Sequence, residues 1–80
     1  MSHDSLEHLI QMANDIGSYF AFDPDHEEAI AAVIEHIDMF WDPRMRRRIF
    51  AHVRNGGEGL DPLPMNALRK LADATAGETS

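Results

Sequence analysis

The chain has 80 residues, 14 Asp and Glu against 7 Lys and Arg, a formal charge of −7 and no cysteine. Those numbers allow one small domain and exclude disulfides, thiolate zinc sites, iron–sulfur ligation and cysteine nucleophiles; the negative balance disfavours nucleic acid, and no run approaches the roughly 18 apolar residues of a membrane span. A chain this short buries only about 60–65% of its unfolded surface, so the support expected for its thin core is a partner.

The first predicted element is a helix over residues 5–22. Leu6, Leu9, Ile10, Ala13, Ile16, Gly17 and Phe20 follow the spacing of one helical face, which Met12 and Tyr19 widen. Asp4 or Ser5 serves as its N-cap. Gly17 costs about 1 kcal/mol against Ala there, so a close approach by a neighbouring helix is expected. Asp23-Pro24-Asp25 breaks the chain. Asp25, with Glu28 three residues on, reads as a capping box opening a helix over residues 26–41. Its apolar positions, Ala29, Ile30, Val33, Ile34, Ile37, Phe40 and Trp41, fill an arc of roughly 140°. An arc that wide touches two neighbours, and this helix is expected to be the central element. Asp42-Pro43 opens a third helix over residues 43–55, and Gly56-Gly57 ends it, with Gly56 the left-handed residue. Asp61-Pro62 opens a fourth, over residues 62–75, with Leu60, Leu63, Ala67, Leu68 and Leu71 along one side. The fold class is therefore all-α: residues 1–80 form a single helical domain, a small bundle of four short helices, with fraying expected at 1–4 and 76–80.

Charge is divided along the chain. Residues 1–43 hold ten acidic residues and no Lys or Arg; residues 44–80 hold all seven basic residues and four acidic ones, so the halves stand at −10 and +3. Either the halves attract each other, or the Arg run meets an acidic partner surface. The third helix sharpens the question. Met45, Ile49, Phe50 and Val53 define its apolar arc, and Arg46 falls inside that arc. Arg44, Arg47 and Arg54 lie opposite, and Arg48 flanks. An unpaired buried charge costs several kcal/mol, so Arg46 reaches a carboxylate of residues 1–43, a helix C-terminus or a partner. Trp41 stands just before this turn, and Arg and Trp are both common interface anchors.

Catalytic patterns are missing. The five histidines, His3, His8, His26, His36 and His52, form no HxxxH or HExxH pair. His36, at the edge of an apolar arc, reads as a structural histidine with satisfied contacts. Gly56-Gly57-Glu58-Gly59 lacks the preceding strand and Lys-Ser/Thr ending of a phosphate loop. Asp4-Ser5-Leu6 spells the attachment tripeptide of an acyl carrier, but at the N-terminus, where it reads as a cap. No catalytic or metal-binding residue is named, and no cofactor is expected in this chain. The acidic start lacks a basic region followed by an apolar stretch, so no signal peptide is expected and the default location is cytoplasmic.

Three stretches carry a resemblance: Met12-Ala13-Asn14-Asp15-Ile16 with Phe20; His36-Ile37-Asp38-Met39-Phe40-Trp41-Asp42-Pro43-Arg44-Met45-Arg46; and Gly56-Gly57-Glu58-Gly59-Leu60-Asp61-Pro62-Leu63 with Ala67-Leu68. In order and spacing, over residues 12–68, the chain resembles the small delta subunit of soluble NAD-dependent formate dehydrogenase. FW-x-PRMR is the specific part. Two departures stand out: Pro64 and Met65 replace a region usually free of Pro, which predicts a delayed fourth helix, and Met39 stands where a basic residue is common.

The resemblance implies a non-catalytic accessory subunit. In that family the alpha subunit carries a bis-molybdopterin guanine dinucleotide cofactor and iron–sulfur clusters and oxidises formate to CO2. Beta and gamma pass electrons through clusters and FMN to NAD+. The expected partner-binding residues are Phe40, Trp41, Pro43, Arg44, Met45, Arg46 and Arg47, with Gly56, Gly57, Gly59 and Leu60 in the following turn. On that expectation Trp41→Ala or Arg46→Ala weakens partner binding more than Arg54→Ala. Two other readings stay open: a transient assembly or cofactor-insertion factor for the alpha subunit, and an independent helical protein, a homodimer for instance.

Overall fold

The computed structural model describes residues 5–78, with side chains to residue 75; of the fraying expected at 1–4 and 76–80, residues 1–4 and 79–80 lie outside the described residues. Among the described residues the regular structure is four helices: α1 (Leu6–Phe20), α2 (His26–Phe40), α3 (Pro43–Arg54) and α4 (Pro62–Glu78).

Most of the boundaries follow from local hydrogen bonds. Ser5 is the cap of α1, its hydroxyl accepting from His8 N. The helix ends at Phe20, two residues before the expected limit, and the chain tightens there into three-residue bonds, Ala21 N donating to Ser18 O and Asp23 N to Phe20 O. Asp25 caps α2 by accepting from Glu27 N and Glu28 N. The returning half of the expected capping box comes instead from Asp23, whose carboxylate accepts from Asp25 N at 2.9 Å. Asp42 accepts from Met45 N at 2.9 Å, with Pro43 at the first helical position of α3. At the other end Gly57 N donates to His52 O and Gly56 N to Val53 O, the paired bonds of a Schellman motif. Gly56, at the C′ position, holds the positive φ that these bonds require.

Pro64 does not delay α4. It sits in the first turn, where backbone N–H groups have no intrahelical acceptor, so its missing donor costs nothing. α4 also runs past the expected residue 75, through residues 76–78.

The core joins Leu9 and Ala13 of α1, Ile30, Val33 and Ile37 of α2, Trp41, then Ile49, Phe50 and Val53 of α3 and Ala67, Leu68 and Ala72 of α4. The wide arc of α2 does meet two neighbours, α1 and α4, but α2 is not the central helix. α1 and α4 each pack against the other three. Gly17, buried on α1, lets the start of α4 approach closely. A Cβ on Gly17 would stand 2.6 Å from Pro64 Cδ, so the expected close approach is made by α4.

Candidate functional site

The corner between α2 and α3 sorts the two adjacent aromatics in opposite directions. Both lie in the expected apolar arc of α2, yet Phe40 is 67% exposed and Trp41 only 3%. Phe40 has the right helical angle but ends the helix. Trp41 is the C-cap, with φ −95° and ψ 135°, so the 100° progression no longer sets its direction and its indole enters the core. Trp41 therefore offers no surface to a partner, and the effect of its truncation is on folding.

Arg46 is held from within the chain. Its Nη1 donates to Trp41 O at 2.9 Å and to Asp38 O at 3.1 Å, and lies 3.7 Å from Asp38 Oδ1. A carboxylate of the acidic half and a helix C-terminus thus both receive it. The carbonyls at the end of α2 lack intrahelical donors, and a cation there also suits the helix dipole. Its side chain is 24% exposed. Arg46→Ala should lower stability by about 2 kcal/mol, since hydrogen bonds from a charged donor are lost and carbonyls are stranded. Urea denaturation checks this; Arg46→Lys should recover only part, because an ammonium lacks the planar fork.

The other expected partner residues divide by exposure. Pro43, Arg44 and Arg47 are exposed, as are Gly56 and Gly59, whereas Met45 and Leu60 are half-buried against the core and Gly57 is buried. Arg47, Arg48 and Arg54 are exposed and form no ion pair with a described residue. The glycine turn is accounted for largely by internal contacts. A Cβ on Gly57 would collide with Met65 Sδ, and one on Gly59 would touch Ile10. His52 Nε2 lies 2.7 Å from Glu58 O; a carbonyl only accepts, so Nε2 donates. Asn14 closes the turn from α1: its Nδ2 donates to Gly59 O and its Oδ1 accepts from Asp61 N, each at 2.8 Å. Sequence reasoning passed over Asn14 as a structural residue, because its partners lie 45 and 47 positions away.

A second surface was also not anticipated. Tyr19, Phe20, His36 and Phe40 form a chain of ring contacts across α1 and α2, with centroid separations of 5.0, 6.4 and 4.7 Å. Tyr19 is 76% exposed and Met39, beside these rings, is 67% exposed. Phe20, His36, Met39 and Phe40 line a hollow of about 260 Å³ together with Ala32 and Glu35. Ring contacts with Phe20 and Phe40 occupy His36. The available signal was Tyr19 widening the apolar face of α1, but the pairing of that edge with α2 needed the fold.

Among the described residues no three His, Asp or Glu side chains group as metal ligands, and no helix is long and apolar enough to cross a membrane. No buried side-chain nitrogen or oxygen there lacks a partner. The structure is thus a small all-α bundle with exposed arginines on α3 and exposed aromatic rings on α1 and α2. The chain belongs to the family of the NADH-dependent formate dehydrogenase delta subunit, FdsD, whose model matches residues 8–68. No curated protein and no solved structure matched.

Proposed function

We propose that the chain is a non-catalytic accessory subunit that binds and stabilises the large catalytic alpha subunit of a formate dehydrogenase complex. The observation that carries the reading is the family match over residues 8–68. It is supported by three exposed arginines, Arg47, Arg48 and Arg54, for which no ion pair with a described residue accounts. Such arginines suit carboxylates or backbone carbonyls on another protein. On this reading the cofactors, bis-molybdopterin guanine dinucleotide, iron–sulfur clusters and FMN, belong to the alpha, beta and gamma subunits, and the complex works in the cytoplasm.

Mild affinity purification of the tagged chain from its host, with mass spectrometry and molybdenum analysis, tests this. The expected eluate contains the large subunit in stoichiometric amount, loaded with molybdenum, with its flavin and iron–sulfur partners. Capture of only a little metal-free large subunit would replace the reading with a transient assembly factor. Recovery of the chain alone would replace it with a self-sufficient homo-oligomer. The double substitution Arg47→Glu/Arg48→Glu should reduce recovery of the large subunit about tenfold while leaving the melting temperature of the chain unchanged, because charge reversal acts at the interface. Arg54→Glu, at the far end of α3, should do less.

A further inference from the structure

We propose that the aromatic face of α1 and α2, built from Tyr19, Phe20, His36, Met39 and Phe40, docks an apolar segment of a partner subunit that is flanked by Lys or Arg. This rests on the reading of the chain as a subunit of a complex, and adds a second contact surface of opposite charge to the α3 arginines.

Three observations converge. The first is exposure. Single apolar residues at a surface are ordinary, but a contiguous group of large ones marks an interaction site. Here Tyr19, Met39 and Phe40 are each at least 67% exposed and belong to one connected group. The second is preorganisation. The Phe20 ring meets the His36 ring edge-on across the two helices, and His36 in turn leans on Phe40. Side chains already held by ring contacts lose little freedom on binding, which favours them as anchors. The hollow of about 260 Å³ beside them can receive an apolar side chain of the occupant.

The third observation is charge, and it selects the occupant. Glu35 lines the hollow. Glu28 falls on the same stripe of α2, four residues before Ala32, and Asp15 stands one helical turn before Tyr19 on α1. All three carboxylates are exposed, and none pairs with a cation among the described residues. Lys70 of α4 reaches α2 but is paired with Glu27, and it shares with Glu35 a separate hollow between α2 and α4. An occupant with basic residues beside its apolar contact supplies the missing charge. The same face of a second copy would set carboxylate against carboxylate and is repelled.

The test uses the chain co-produced with the other subunits of the complex. Met39→p-benzoylphenylalanine places a photo-crosslinker on the face, and the same residue in place of Asn66, exposed on α4 and part of neither proposed surface, is the control. The expected product at residue 39 is an adduct with another subunit, at a peptide with apolar residues next to Lys or Arg. Tyr19→Ala/Phe40→Ala should lower recovery of the complex about tenfold or more, and Glu28→Lys/Glu35→Lys should lower it independently, both with unchanged melting temperature. Complex recovered undiminished with both double variants overturns this proposal and leaves the subunit reading standing. An adduct with a second copy of the chain, or with an acidic segment, overturns it as well. If the unaltered chain recovers no other subunit, the subunit reading fails and takes this proposal with it.

Discussion

Trp41→Ala is expected to cost about 3–5 kcal/mol of folding stability, the range for truncating a large buried aromatic. The indole is 3% exposed and joins the core at the point where α2 gives way to α3. A domain of this length has on the order of 4–12 kcal/mol in total, so the variant is marginal at best. Urea denaturation followed by circular dichroism reads the loss directly. Phe40→Ala is the matched control. It removes a ring that is 67% exposed and should cost well under about 1 kcal/mol. Equal destabilisation by the two substitutions would refute the assignment of Trp41 to the core and Phe40 to the surface. The contrast also changes how a pull-down is read. Trp41→Ala weakens any complex by unfolding the chain, whereas Phe40→Ala reports on the surface alone.

Gly17→Val should destabilise the fold by about 3 kcal/mol, at the upper end of the cost of overpacking. The space a Cβ would need is filled by Pro64, whose Cδ, Cγ and Cβ lie 2.6, 3.1 and 3.5 Å away. A proline ring is closed onto its own backbone and cannot swing aside. To make room α4 must move, and α4 packs against all three other helices. Gly17→Ala meets the same ring but gains about 1 kcal/mol of helix propensity, so its net loss should be nearer about 1–2 kcal/mol. The pair is tested by a double-mutant cycle. Pro64→Ala keeps only the Cβ, the most distant of the three atoms, so Gly17→Ala should cost less in that background by about 1 kcal/mol. Additive losses would place the cost of Gly17→Ala somewhere other than its contact with Pro64.

Much of the fold was legible because its signals are local. Asp25, Asp42-Pro43, Gly56-Gly57 and Asp61-Pro62 mark helix ends through bonds that close within a few residues. Where such a signal was read in isolation it erred by small amounts. The Asp23 carboxylate took the role expected of Glu28, and Pro64 proved harmless because the donor it lacks has no intrahelical acceptor in the first turn. The candidate site was less legible. The odd position of Arg46 announced that it needed a partner, but not that Asp38 and the end of α2 would supply it.

The sequence by itself determined the helix count, the boundaries to within about three residues, the absence of cysteine chemistry and the resemblance that the family match over residues 8–68 bears out. Those depend on composition, on hydrogen bonds within a turn or two, and on residue order. The tertiary structure alone decided that Trp41 is core and Phe40 surface, that Asn14 clamps a turn 45 residues away, and that Tyr19 and Phe40 share one face. Periodicity fixes the angle of a side chain around its own helix. It carries no information about where along that helix a neighbour begins or ends, and that is what separates an apolar residue in the core from one left at the surface.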